Sequence, residues 1–180
     1  VSLAHLWAGW RFGYVSDATE AERRAGRDGA RPGDGGCVFC RLAEVDEPSA
    51  DTLVVWRGEE VFCALNLYPY GSGHLLVMPR RHVADLSELT SSESGALWEA
   101  VRAAVAADQA AYGPDGFNLG ANLGRSAGAG IPQHLHLHVV PRWAGDTSFM
   151  TAVAGTRVLP EPLAVSWEKV HSAWPDPGPG

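Results

Sequence analysis

The segment QHLHLHVVPRW, residues 133–143, constrains this chain more than any other part of it. His134, His136 and His138 alternate with Leu135, Leu137 and Val139. Strict alternation over roughly 4–8 residues is the period of a half-buried strand, whose successive side chains point to opposite faces. The pattern predicts a strand with three imidazoles on one face and three aliphatic chains on the other. The aliphatic face needs a core to cover it. The imidazole face needs a pocket or a metal site, because three ionisable rings are costly to bury without partners. Pro141 has no N–H to donate and limits the ladder beyond it.

A chain of 180 residues suits one domain with an extension and is long enough to bury a good core. With 46% hydrophobic and 19% charged residues it reads as a globular chain, and no run approaches the ~18 apolar residues of a membrane span. A net charge of −7 argues against binding a nucleic-acid polymer, but leaves room for a small anionic ligand held in a local pocket. The start, VSLAHLWAGWRFGYV, lacks the basic segment and small-residue cleavage site of a signal peptide. Three cysteines with a single C-x-x-C pair do not form a secreted disulfide framework, so a cytoplasmic location is expected. Cys63, inside the apolar VFCALNL, reads as an inert core thiol.

Along the chain, residues 1–36 divide into an aromatic segment and a mobile loop. Trp7, Trp10 and Phe12 are expected to dock, since exposed they would be a liability. The polar stretch rich in Gly and Arg that follows reads as the loop. Compact structure should resume at Cys37. TLVVWRG, EVFCALNLY, HLLVMPR and GFNLGANLG read as strands, joined by turns at Gly58 and PYGSG. One long helix is predicted over LTSSESGALWEAVRAAVAADQAAYG. Thr90 and Glu93 form a capping-box pattern, Leu97, Val101, Ala104 and Val105 form one stripe, and Gly113 and Pro114 stop it. Trp56 and Trp98 read as core. Tyr68 and Tyr70 suit either a subunit interface or a base pocket, and Arg80 and Arg81 can be plain solvated charges. Residues 171–180, ending PDPGPG, read as a disordered tail. Strands joined by short turns with one inserted helix give an α+β domain with a mostly antiparallel sheet.

Two groups of residues carry chemistry. Cys37-Val38-Phe39-Cys40 is half of a tetrahedral thiolate site, and His82 and His134 are candidate partners, since Cys2His2 is a standard zinc set. Two free thiols are the alternative. On the histidine face, a neutral imidazole is a competent nucleophile towards phosphorus, provided an acceptor holds its other nitrogen. A second histidine can bind phosphate oxygens or move a proton to the leaving group. The glycine-rich loop Gly124–Gly130 just upstream would let backbone N–H groups approach a phosphate.

HLHLHVV resembles the His-x-His-x-His-x-x signature of the histidine triad (HIT) superfamily. CVFC, NLYPYGSGHLLVMPRRHVADL and GFNLGANLGRSAGAGIPQHLHLHVVPRW stand in the order that family uses, over roughly residues 37–150. LWAGWRFGYV, the NLYPY segment and HVVPRWAGDTSFM are similar to the actinobacterial branch related to diadenosine tetraphosphate phosphorylases. The resemblance implies a HIT-like fold over 37–170, with a five-stranded sheet, one long helix and a homodimer. It implies that His136 attacks the α-phosphorus and that His138 contacts the phosphate or leaving group. Cys37, Cys40, His82 and His134 would hold a structural Zn2+, with no organic cofactor. Asn66 would bind ribose, Asn122, Ala129 and Gly130 would line the phosphate path, and Trp143 would flank the site. His74, in GSGH, is a family-typical position with a structural role.

Two departures stand out. Gly130 occupies the place where many members carry a phosphate-binding Ser or Thr, and the Asn122–His134 stretch is one residue longer than in common HIT hydrolases. Three functions follow from the resemblance. The first is phosphorolysis of diadenosine tetraphosphate to ADP and ATP, with inorganic phosphate as co-substrate. The second is hydrolysis of adenosine polyphosphates or nucleoside phosphoramidates. The third is a zinc-stabilised nucleotide-binding or recruited biosynthetic protein. No membrane partner is expected.

Overall fold

The computed structural model describes residues 36–146 and 161–175. Five strands, β1 Val54–Arg57, β2 Val61–Leu65, β3 Leu75–Pro79, β4 Gly116–Ala121 and β5 Leu137–Arg142, make one sheet in the order β1-β2-β3-β5-β4. Every neighbouring pair is antiparallel. Three α-helices accompany it among the described residues: α1 Val38–Ala43, α2 Ser91–Tyr112 and α3 Leu163–Ser172. The fold is the α+β arrangement expected.

The central strands are apolar without interruption because both faces of the sheet are covered. Along β2 and β3, Val61, Cys63, Leu65, Leu75 and Val77 pack under α2, with Leu97, Ala100, Val101, Ala104 and Ala107. The alternate residues Phe62, Ala64, Leu76 and Met78 form a second cluster with Phe39 and Ala43 of α1. Leu135, Leu137 and Val139 join the α2 side, so the three aliphatic residues share a face as the alternation requires. The strand itself is shorter than the pattern, because β5 begins only at Leu137. His134 and His136 stand in the extended lead-in, where the Leu135 amide donates to the Val83 carbonyl and not to a strand.

α2 starts as its sequence dictates. Thr90 accepts from the Glu93 amide at 3.1 Å and Glu93 accepts from the Thr90 amide at 2.8 Å. The helix ends at Gly113, whose φ of 55° is the left-handed conformation of a glycine C-cap. Arg81 is not a plain solvated charge: its guanidinium grips both oxygens of the buried Glu93 at 2.8 Å and also donates to the Glu88 carbonyl. Val105 packs at the edge of the α2 stripe. Trp98, expected in the core, is 57% exposed. It follows Leu97 by one residue, and about 100° of helical rotation carries it off the buried stripe.

α3 braces the β1 edge. Trp167 donates its indole N–H to the Val54 carbonyl at 2.7 Å, and the His171 ring bonds to the Val55 carbonyl at 2.8 Å. Trp56 is half-buried and stacks on Trp174 with centroids 5.5 Å apart, so the chain is still packed inside the stretch read as a tail. The aromatic and Gly/Arg-rich parts of 1–35, and residues 176–180, lie outside the described residues. No helix among the described residues is long and apolar enough to cross a membrane.

Candidate active site and metal centre

α1 brings two thiols to the sheet face opposite α2. Cys37 is its N-cap residue and Cys40 lies three positions on, so both sulfurs face the same way. His82 follows β3 and His134 precedes β5, which is paired with β3. The four donor atoms lie within 4.8 Å of one another. His134 donates Nε2–H to the Pro79 carbonyl at 2.9 Å, which leaves its Nδ1 lone pair facing Cys37 Sγ at 3.5 Å and Cys40 Sγ at 3.6 Å. His82 Nδ1 stands 3.1 Å from Cys40 Sγ. Zinc bonds of about 2.3 Å to sulfur and 2.0 Å to nitrogen hold donors at about this spacing, and a Cys2His2 set suits that ion. The polypeptide alone resists charge here. Burial drives His134 down to about 4 and, with the Cys37 charge adding, drives the Cys40 thiol up to about 11. A bound cation would displace the thiol protons to solvent and hold the sulfurs as thiolates.

The next residues along the chain form a second, directional set. His136 is 7% exposed, and its Nδ1–H donates to the His134 carbonyl at 2.8 Å. That bond fixes the tautomer: Nε2 carries the lone pair. Burial holds His136 below the usual histidine range, so the ring is neutral near pH 7. His138 has the opposite tautomer. The Tyr70 amide donates to His74 Nδ1 at 2.9 Å, so His74 carries its proton on Nε2. His74 Nε2–H donates to His138 Nδ1 at 2.9 Å, so His138 carries its proton on Nε2. That buried Nε2 has no hydrogen-bond partner among the described residues. Burial, with the His136 charge adding, drives His138 down to about 4. Two neutral rings, centroids 5.1 Å apart, thus present a lone pair and an N–H side by side. A nucleophile next to a hydrogen-bond donor is what transfer at phosphorus needs.

Both rings open on a cavity of about 720 Å³. Asn66, Asn122 and Gly130, three of the residues expected to bind substrate, line it, along with Gly128 of the glycine loop. Asn66 accepts from the Tyr68 amide at 3.0 Å and turns its NH2 to His74. Ala129 lies between two lining glycines but is not itself in the wall. Trp143 also stands outside the lining. Just past the end of β5, its ring meets Tyr112 edge-on at 6.3 Å. Arg142, a candidate phosphate ligand by its charge, is occupied by Asp146 and Asn118.

Sequence reasoning passed over most of the apolar wall. Val38, Phe39 and Leu42 of α1, and Leu53 and Ile131, carry no chemical signature. Phe39, between the two thiols, touches the rings of both His134 and His136 at 5.5 and 5.2 Å. His74, expected from the resemblance to have a structural role, stands one residue before β3 and two from Leu76, which pairs with His138.

Residues 47–145 match the family described as HIT domain. The chain is 38% identical over 173 residues to AP-4-A phosphorylase of Mycobacterium tuberculosis, covering 96% of this chain and 85% of that protein. It is 30% identical over 139 residues to Adenylylsulfatase HINT3 of Arabidopsis thaliana, covering 74% of this chain and 68% of that one. Among solved structures, a Zn-bound histidine triad family protein from Mycobacterium smegmatis superposes with a TM-score of 0.62 at 28% identity, over 77% of this chain and 93% of that one.

Proposed function

This chain belongs to the HIT domain family, and on that footing we propose that it is a nucleotidyl-transfer enzyme that phosphorolyses diadenosine tetraphosphate. The observation that carries this reading is the pair of opposed tautomers, with the Nε2 lone pair of His136 beside the Nε2–H of His138. Nε2 of His136 attacks the α-phosphorus. A P–N bond forms, the P–O bond to the rest of the chain breaks, and ATP leaves with the bonding electrons. The His138 N–H bonds to the phosphoryl or leaving oxygen as negative charge grows there. The His134 carbonyl holds the Nδ1 proton of His136 while the ring is cationic. An oxygen of inorganic phosphate then attacks the same phosphorus and the P–N bond breaks. ADP departs, and the phosphate hydroxyl proton goes to solvent. Asn66, Asn122 and Gly130 carry the substrate contacts in this reading, and Ala129 lends backbone from the same loop. Trp143, beside Tyr112, flanks the site in this reading and does not line the cavity. The 38% identity to the mycobacterial AP-4-A phosphorylase supports this choice of substrate and acceptor.

A second reading replaces phosphate with water and is supported by the likeness to the adenylylsulfatase. Product analysis separates the two, with diadenosine tetraphosphate incubated with and without inorganic phosphate, beside His136→Ala. ADP plus ATP only when phosphate is present establishes the phosphorylase. AMP plus ATP in either buffer establishes the hydrolase. Full activity of His136→Ala removes the histidine mechanism altogether.

The same proposal includes a structural zinc ion on Cys37, Cys40, His82 and His134. It is supported by the donor set, the spacing of the four atoms and the zinc-bound structural neighbour. It also includes a homodimer, supported by the edge position of β4 in the sheet among the described residues and by the exposed Leu119 on that strand. A cytoplasmic location completes it, supported by two thiols set to hold a metal.

A further inference from the structure

The cavity has a direction, and the sheet register sets it. His138 of β5 pairs with Leu76 of β3, Leu76 pairs with Ala64 of β2, and Ala64 pairs with Val54 of β1. Leu76, Ala64 and His138 all line the cavity, so its floor follows one cross-strand row. Three strand spacings separate the ends of that row by about 14 Å. The reacting phosphorus belongs at the His136–His138 end. A nucleoside extending from it lies along the row, over small and apolar side chains, and its base reaches the β1 end.

At that end stands the turn that leads into β1. Ser49 and Thr52 hold it through their hydroxyls, at 2.9 Å from each other. Thr52 Oγ1 donates to the Ser49 carbonyl and accepts from the Val54 amide, so it is already committed. Leu53, at the cavity wall, has a φ of 62°, the one left-handed non-glycine among the described residues. This turn presents Asp51. Its carboxylate is exposed, makes no hydrogen bond or ion pair among the described residues, and is the one carboxylate in the cavity wall. An acid beside the polyphosphate would repel it. At the β1 end of the row, about 14 Å from the His138 end and beyond a Debye length of about 8 Å, that repulsion is screened. What a carboxylate can do beside a base is accept N–H hydrogen bonds.

We infer that Asp51 is a specificity residue that reads the exocyclic amine of the nucleobase. Adenine offers an N–H donor at C6, whereas hypoxanthine, otherwise the same shape, offers a carbonyl oxygen that the carboxylate repels. The inference rests on the nucleotidyl-transfer reading for where the phosphorus sits. The interaction lies far from the reacting bonds, so it acts on binding and leaves kcat largely alone.

The test compares diadenosine with diinosine tetraphosphate as substrates, and AMP with IMP by calorimetric titration, in wild type, Asp51→Ala and Asp51→Lys. Asp51 is exposed on a turn, so both variants should fold. Wild type should favour the adenine compounds about tenfold in kcat/KM and in Kd, a size set by a charged hydrogen bond reduced by exposure. Asp51→Ala should bring the ratio near one, and Asp51→Lys, which donates, should favour hypoxanthine. Equal handling of both bases by wild type, or an unchanged ratio in Asp51→Ala, overturns the inference and leaves the reaction standing. Preference for AMP over IMP that Asp51→Ala abolishes, in a protein that turns over neither dinucleotide, supports Asp51 and removes the reaction.

Discussion

His74 is fully buried, outside the cavity wall, between the Tyr70 amide and the His138 ring. Its work is to choose which nitrogen of His138 carries the proton. His74→Leu should therefore lower kcat by about 100-fold, the usual worth of a correctly placed proton donor, with little change in KM. Steady-state kinetics decides it, and an unchanged kcat would show that His138 keeps its tautomer unaided. The triad was legible at this scale because alternation and residue type are both local. The tautomers were not, because each is set by a hydrogen bond the pattern does not show: to Pro79 for His134, to the carbonyl two residues back for His136, and to a ring 64 positions away for His138. Asp51 was illegible for a simpler reason, since a lone acid in a turn looks like any solvated charge.

α2 carries the element-scale predictions. Thr90→Ala removes the N-cap and should cost about 1 kcal/mol, read from the urea midpoint. Asp108, on the same helix, is fully buried with both carboxyl oxygens unbonded among the described residues. Its Oδ1 lies 2.7 Å from where a Cβ at Gly73 would sit, and Gly73 also has a φ of 73°, so only glycine fits there. Burial drives this acid from the ordinary aspartate range up to about 8. An acid raised on folding contributes its stability below about pH 4, loses it progressively as pH climbs towards 8, and has none left above. Asp108→Asn should therefore be more stable than wild type at pH 8, by a few kcal/mol at most, and should lose that advantage by pH 4. Urea midpoints at the two pH values test this, and a constant difference would refute it. Among the elements themselves, α2 and the strands were readable because their hydrophobic periods run long enough to count. α1 spans six residues and α3 follows a proline with no side-chain cap, so neither announces itself locally. Tertiary contacts define both: the thiol cluster for α1, and the β1 carbonyls for α3.

For the whole molecule, the prediction concerns the proposed zinc ion. α1 forms one wall of the cavity, and Cys37 at its N-cap and Cys40 within it reach the segment after β3 and the segment before β5. Stripping zinc with a chelator at neutral pH should lower Tm by about 10 °C, the size expected when a tightly held ion is removed from a domain this long. Zinc should restore it and magnesium should not, and calorimetry reads both. An unchanged Tm would mean that the four groups hold no ion that matters to the fold.

His134 belongs to both halves of this molecule. Its ring points into the thiol cluster, while its carbonyl holds the proton of His136. The two groups are therefore mechanically joined through one residue. A substitution that frees the ring also unsettles the carbonyl, so a disturbance at the thiol cluster reaches the proton on His136 Nδ1.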